Sequence, residues 1–359
     1  MSLLTTIGLM SGTSLDGIDA ALIRTDGRER VEAGAFLTLP YPDGLRDRLR
    51  ACLGGRGPLA EIAAVERDLT LAHAEAVRAL LAMAGLAPNA VDLIGFHGHT
   101  ISHAPDQHLT WQIGDGAGLA ALTGIAVIND FRSADVAAGG QGAPLVPLYH
   151  RALAAGLERP LALLNIGGVS NVTWLGAGAE DVLAFDTGPG NALIDDWVWR
   201  HTGLRYDESG TLAAAGRIDE TVLAALLAQP YFRQPAPKSL DRDAFDPAPV
   251  AGLSVEDGTA TLTAFTAAAI AAARPLLPAP PLRWLVTGGG RLNTTLMAML
   301  KARLGVAVEP VDDQGWSGDA LEAQAFGYLA VRSLRDLPLS LPSTTGAPHP
   351  VRGGRLHRP

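Results

Sequence analysis

The chain has 359 residues, 48% hydrophobic and 18% charged, with a formal net charge of −9. That length and apolar content provide for a large core and about two domains, and exclude a disordered chain. The acidic balance offers no overall field for nucleic acid or an anionic membrane, and a single cysteine excludes an internal disulfide framework or a Cys-rich zinc site.

The N-terminus lacks a basic region and a clear cleavage site. No apolar run reaches a membrane span; Ala264–Ala273 comes nearest. A cytoplasmic chain with no membrane or nucleic-acid partner is expected, which makes the sequons at Asn171 and Asn293 chance matches. Cys52 reads as a small buried hydrophobe or as a nucleophile.

From Ile7 to Leu22 two apolar runs flank Ser11-Gly12-Thr13-Ser14 and Asp16-Gly17, the pattern of a hairpin. Glycines let backbone N–H groups approach an anion, hydroxyls add donors, and Asp16 offers a carboxylate for a hydrated Mg²⁺. The same pattern also describes a plain Gly/Ser turn, and no GxxxxGK[ST] motif occurs. Further along come a strand near Glu32–Leu39, a helix over Pro42–Cys52 and an amphipathic helix over Leu59–Met83 with Gly85 at its C-cap. A strand over Val91–Phe96 ends in His97-Gly98-His99-Thr100. Thr110–Ile113 is a short strand, Gly114–Thr123 opens a helix, and the strand Ile125–Ile128 ends in Asn129-Asp130-Phe131-Arg132. The Gly-rich stretch Ala137–Pro144 is a candidate domain boundary.

Beyond it the pattern restarts. Leu161–Ile166, Gly167-Gly168, Ser170-Asn171 and Val172–Leu175 repeat strand, small polar turn and strand, a weak echo of the opening and a sign of duplication. Helices follow at Asn191–Thr202, Ile218–Ala228 and Leu262–Leu277, with a Pro-rich loop near Gln234–Pro249. The strand Arg283–Thr287 meets Gly288-Gly289-Gly290, then come a helix through Leu300 and a last helix at Asp319–Leu334. Alternation of strands and helices predicts an α/β fold.

Five groups stand out for chemistry. Asp186, after a strand-like run and before Gly188-Pro189-Gly190, is placed for a general base; Asp in such a turn also serves as an Asx-turn or N-cap residue. Gly288–Gly290 opens a helix and permits close approach of a ring or phosphate. His97, His99 and His103 lack a fourth ligand for a metal and read as satisfied histidines or substrate contacts. Arg132 offers a carboxylate or phosphate fork, with a surface ion pair to Asp130 or Asp135 as the alternative; Lys238 fits a lid or a plain loop equally.

In order along the chain stand GLMSGTSLDGID (Gly8–Asp19), FHGHT (Phe96–Thr100), QIGD (Gln112–Asp115), DFR (Asp130–Arg132) and GGQGAPLVP (Gly139–Pro147). LNIGG (Leu164–Gly168), FDTGPGN (Phe185–Asn191), QPAPKS (Gln234–Ser239), GGG with Asn293, LEAQAFGYLA (Leu321–Ala330) and the TGA at Thr345 follow. With these motifs the chain resembles the anhydro-N-acetylmuramic acid kinases, within the superfamily of sugar kinases, heat-shock ATPases and actins. The resemblance covers nearly the whole chain.

The resemblance implies two ribonuclease-H-like (actin-like ATPase) α/β domains, residues 1–133 plus about 335–359 and residues 134–334, with an active-site cleft between them. It implies a homodimer, and ATP with Mg²⁺. ATP, water and 1,6-anhydro-N-acetylmuramic acid would give ADP and N-acetylmuramic acid 6-phosphate, with cleavage of the anhydro ring. Asp186 matches the catalytic aspartate. Gly12, Thr13, Ser14, Leu15, Asp16, Gly17, Ile18 and Asp19 match the ATP-phosphate loop, with Asp16 near the metal. Gly167, Gly168, Gly288, Gly289, Gly290 and Asn293 complete the nucleotide side. His99, Thr100, Arg132 and Asn191 are the candidate sugar contacts, Arg132 for the lactyl carboxylate.

The family commonly has HGQT where this chain has His99, which predicts altered or pH-sensitive sugar contacts, because neutral His offers donor and acceptor only by tautomer. It often has DFRRRD where this chain has Ser133 and Ala134, so only Arg132 carries over. A kinase of another sugar such as levoglucosan, or an ATP switch on the same fold, are the alternatives. The Pro/Arg/His-rich segment Pro342–Pro359 reads as a frayed tail or as a strap on the first domain.

Overall fold

A computed structural model describes residues 2–12, 15–178, 180–242 and 244–359. The chain divides into two compact units, Met1–Gly156 with Ala320–Pro359, and Leu157–Asp319. The first unit holds β1 (Leu4–Ser11), β2 (Ile18–Thr25), β3 (Val31–Leu39), β4 (Leu93–Ala104), β5 (Leu109–Ile113) and β6 (Val127–Asn129). The second holds β7 (Leu161–Ile166), β8 (Val169–Leu175), β9 (Val182–Pro189), β10 (Arg283–Thr287) and β11 (Ala307–Pro310), and β12 (Arg355–His357) belongs to the first.

The two sheets share one topology. In the first unit β3-β2-β1 is an antiparallel meander and β1-β4-β6 run parallel. In the second, β9-β8-β7 is the meander and β7-β10-β11 run parallel. This is the ribonuclease-H-like sheet twice over. The echo between the turn after Ser11 and the turn at Gly167-Gly168 is therefore structural: each joins the first two strands of its meander.

Apolar residues explain the packing. β1 is buried from Ile7 to Ser11, as a central strand covered on both faces must be. Helix Leu59–Ala84 turns Ile62, Val65, Leu69, Val77 and Leu80 into the core of the first unit. Helix Thr294–Leu304 brings Leu296, Leu300 and Leu304 against β7 and β10 residues such as Leu164 and Trp284 in the second.

Helix Leu321–Leu334 packs on β1, β2 and β4 of the first unit, although the expected boundary assigns it to the second domain. Glycines set that approach. A Cβ on Gly8 would lie 1.7 Å from Ala323 O, and one on Gly95 would lie 2.1 Å from Phe326 O.

The Gly-rich candidate boundary also lies inside the first unit. Buried Asp135 accepts from Gly142 N at 2.7 Å, from Thr345 Oγ1 at 2.7 Å, and from Ser340 Oγ. Those contacts hold the C-terminal segment down, and β12 pairs antiparallel with β6. Of the two readings of that segment, the strap is the one observed.

Two elements differ from expectation. β4 does not stop at Phe96: His97–Thr100 continue as strand, shared between β1 and β5, with Gly98 at φ 73 absorbing the irregularity. The helix expected from Leu262 begins at Val255. Ser254 caps it through Asp257 N, and Thr259, Thr261 and Thr263 satisfy their hydroxyls on carbonyls four residues back. Threonine-rich sequence hides a helix because a β-branched residue scores against it. Among the described residues no helix is long and apolar enough to cross a membrane.

Candidate functional site

The loop after β1 lies beside a buried polar relay. Ser11 Oγ is 2.6 Å from Tyr41 OH and 2.8 Å from His99 Nδ1. Leu15, buried and at φ 60, donates its N–H to Gly12 O at 3.0 Å, and so pins the loop by an apolar anchor. A Cβ on Gly17 would lie 2.7 Å from Leu39 O. Ile18 is buried at the start of β2. Thr13 and Ser14, expected to contribute hydroxyls, lie outside the described residues.

Asp16 is exposed, and its backbone carbonyl accepts from Arg46 Nη2 at 3.4 Å. Asp19 accepts from Thr38 Oγ1 at 2.6 Å. Glu322, which the sequence reading passed over, is near both Asp19 and Arg132. Crowding by protein and the Asp19 carboxylate push its pKa up against Arg132, an effect limited by the exposure of its side chain. No group of three or more potential metal ligands exists among the described residues. That donor set fits Mg²⁺ held mainly by phosphate oxygens and waters, with one or two carboxylates, rather than a protein cage.

In the second unit three glycine turns converge. Asn191 N donates to Gly167 O at 2.7 Å, Gly190 N donates to Gly168 O at 2.9 Å, and Asn191 Nδ2 donates to Ile166 O at 3.1 Å. Some of these glycines are needed for packing: a Cβ on Gly288 would meet Asn165 Oδ1 at 2.4 Å, and one on Gly290 would meet Ile166 Cγ2 at 2.4 Å. Others would accept a Cβ at ordinary contact distance. The nearest neighbours of a Cβ on Gly167, Gly168 or Gly289 lie at 3.7 Å. Room that the protein itself leaves unfilled beside backbone N–H groups suits a ligand.

Asn191, expected at the sugar, thus stands among the second unit's glycines expected at the nucleotide, whereas His99, Thr100 and Arg132 belong to the first unit. Asn293, expected on the nucleotide side, spends its Oδ1 as the N-cap of helix Thr294–Leu304, accepting from Leu296 N at 2.9 Å. A residue missed by the sequence reading supports the turn instead. Buried Arg291 donates to Asp312 at 2.7 Å, to Asp319 at 2.9 Å and to Gly288 O at 3.1 Å. An Arg directly after three glycines was the available signal.

Asp186 sits in β9, no helix N-cap. Its Oδ2 accepts from Leu240 N at 2.8 Å. Burial pushes its carboxyl from 3.8 up to about 7, with the Leu240 bond opposing. A base poised there can take a proton at neutral pH. Its cross-strand neighbour Asn171 carries a buried Oδ1 that has no partner among the described residues.

On the first unit, His97 and His99 diverge. His97 Nδ1 lies 3.0 Å from Gly98 O and so carries the proton, which leaves Nε2 to accept Arg132 Nε–H at 3.0 Å. Burial, then Arg132, hold His97 well below the usual imidazole range. His99 is fully buried, and burial lowers it to about 4. Its Nδ1 is directed at Ser11, and its buried Nε2 has no partner among the described residues. Thr100 accepts from Gln112 Nε2 at 3.2 Å.

Arg132 also donates Nη1–H to Gly142 O at 2.7 Å. One Nη1–H and both Nη2–H groups make no hydrogen bond among the described residues, although the Glu322 and Asp135 carboxylates act on the charge, which leaves the end of the fork for an anion. A recess of about 450 Å³ adjoins His97, and its wall draws Phe96 and Gly98 from FHGHT, Gln112 and Asp115 from QIGD, and Asp130. Arg132→Lys keeps the charge but loses the planar fork. If the fork receives a carboxylate of the expected sugar, losing a charge-assisted bond at about 1.5–3 kcal/mol should raise the sugar KM about 10- to 100-fold, with the ATP KM unchanged, in steady-state kinetics.

Comparison with known proteins agrees with this distribution of motifs. A family model described as anhydro-N-acetylmuramic acid kinase matches residues 4–358. A protein of that name from Rhodospirillum rubrum is 60% identical over 351 residues, covering 97% of this chain and 92% of its own. Its namesake from Paramagnetospirillum magneticum is 58% identical over 356 residues (98% and 99%), and one from Rhizorhabdus wittichii is 54% identical over 365 residues (100% of each).

Proposed function

Because the chain belongs to the anhydro-N-acetylmuramic acid kinase family, we infer that it consumes ATP, water and 1,6-anhydro-N-acetylmuramic acid to form ADP and N-acetylmuramic acid 6-phosphate. The reaction recovers a cell-wall amino sugar. Asp186 in its ionised form takes a proton from the water that attacks the anomeric carbon. The bond from that carbon to the bridging oxygen breaks, and the freed oxygen receives the γ-phosphoryl group. One residue then serves hydrolysis of the ring and phosphorylation together.

The observation that carries this reading is the environment of Asp186, a carboxyl lifted to about 7 and aimed by a backbone N–H. A positioned base supplies about 10²–10⁴-fold, and the rest comes from alignment and charge neutralisation. The loop around Leu15 and Gly17 and the open glycines 167, 168 and 289 bind and orient the phosphates and nucleoside. Arg132, held by His97 and Gly142, takes the lactyl carboxylate. Asp16, with Asp19 and Glu322 as the nearby acidic groups of the same unit, would hold Mg²⁺, which when bound neutralises charge on the phosphates. A cytoplasmic homodimer fits the reading.

The test is ADP release coupled to a reporter, with mass analysis of the product. The expected result is ADP release that depends on the anhydro-sugar and yields the 6-phosphosugar with the ring opened. A strong preference for levoglucosan would move the assignment to another sugar, and ATP binding without phosphotransfer to any sugar would support an ATP switch.

A further inference from the structure

We propose that Lys238 is a positioning residue for Asp186, closing the segment from Tyr231 to Leu240 into a clamp that sets where the carboxylate points. The inference rests on the reading of Asp186 as the base. Asp186 is gripped by that one segment at three atoms. Its N–H donates to Lys238 O at 2.9 Å, its carbonyl accepts from Tyr231 OH at 2.6 Å, and its Oδ2 accepts from Leu240 N at 2.8 Å.

The two ends of the segment are joined by the lysine side chain. Lys238 Nζ donates to Tyr231 O at 2.8 Å and lies 4.3 Å from the centre of the Tyr231 ring. The clamp is anchored by aromatic packing. Tyr231 and Phe232 meet Phe245, and Phe232 meets Phe265 on helix Val255–Ala272, with centroids 5.4–5.9 Å apart. The polar groups around Asp186 are therefore the Leu240 amide on its carboxylate, the Tyr231 phenol on its carbonyl, the cross-strand Asn171 and, through Tyr231, the Lys238 ammonium. Burial lowers the Lys238 pKa, and burial followed by Asp186 raises that of Tyr231.

A hydrogen bond to the ionised carboxylate favours its charged form, so the Leu240 bond both aims the base and keeps it from rising further. If the lysine closure is lost, that bond should lengthen on average. Turnover should then fall while substrates still bind, and the acid limb of the pH profile should move upward.

The test is Lys238→Met, which keeps the aliphatic stem, together with Tyr231→Phe, which removes the hydroxyl bond to Asp186. Each should lower kcat by about 10- to 100-fold, the range expected for misplacing a catalytic group. KM for ATP and for the anhydro-sugar should stay within twofold. The acid limb should shift up by about half to one pH unit. The double variant should lose less than the product of the single losses, because both act through one clamp.

Unchanged kcat and pH profile in Lys238→Met overturn the proposal, and so does a loss confined to one KM, which would make Lys238 a ligand contact. If Lys238→Met fails to fold, Tyr231→Phe decides the matter by the same readouts. Asp186→Asn, run alongside, separates the two claims: an active Asn variant removes the base assignment, whereas an inactive one beside an unaffected Lys238→Met removes only the clamp.

Discussion

Asp186→Asn should lower turnover by about 10²–10⁴-fold, the contribution of a positioned general base, while ATP still binds. Asn keeps an oxygen to accept the Leu240 N–H, so the loop geometry survives and the loss reports chemistry. In the wild-type protein, log kcat/KM should rise with pH and level off near the carboxyl value of about 7. The variant should lose that limb.

A stability effect of opposite sign should accompany the loss. A carboxyl whose folded value is raised from 3.8 to about 7 stays protonated in the fold over a range where the unfolded chain has released its proton. Folding stability therefore falls as pH rises through that window and stays lower above it. At about 1.36 kcal/mol per pH unit the penalty amounts to a few kcal/mol, reduced by residual solvent access. Asp186→Asn removes it, so the variant should match wild type near pH 4 and melt higher at pH 8. Thermal melts at the two pH values check the sign, and a variant that melts lower at pH 8 would show that the carboxylate is not buried at a cost.

What the sequence made legible was local. A small polar turn between two apolar runs pointed to a first hairpin and to its echo at Gly167-Gly168, and the strands on either side of each pair antiparallel in equivalent sheets. A carboxylate ahead of Gly188 pointed to Asp186. What stayed hidden depends on partners remote in the chain. The amide that aims Asp186 lies 54 residues on, and Arg132 is held by a histidine 35 residues back.

A break in the alternation of β4 at Gly98, φ 73, separates two histidines that a regular strand would turn to one face. Both belong to one motif, yet one lines a recess and accepts from Arg132, and the other is sealed against Ser11. The domain limits were illegible for a related reason. Nothing local in Gly8 or Gly95 shows that a helix more than two hundred residues later will lie on them, and only the missing Cβ atoms permit its carbonyls so close.

The triple glycine allows the nucleotide assignment to be tested one residue at a time. Gly289 is exposed, and a Cβ there would have Asn191 Nδ2 as its nearest neighbour at 3.7 Å, an ordinary contact. Gly289→Ala should fold and melt like wild type. If nucleotide packs against that backbone, the added methyl must be accommodated at about 1–3 kcal/mol, which is about 5- to 150-fold in the ATP Kd. Sugar KM at saturating ATP should be unchanged. Gly290→Ala is the contrast, because its Cβ would lie 2.4 Å from Ile166 Cγ2 inside the core, so this variant should lose stability before it loses affinity. Calorimetric titration with a nonhydrolysable ATP analogue, paired with thermal melts, distinguishes the outcomes. Weakened binding in a stable Gly289→Ala places the nucleotide at the open glycines, and unchanged binding moves it away from them.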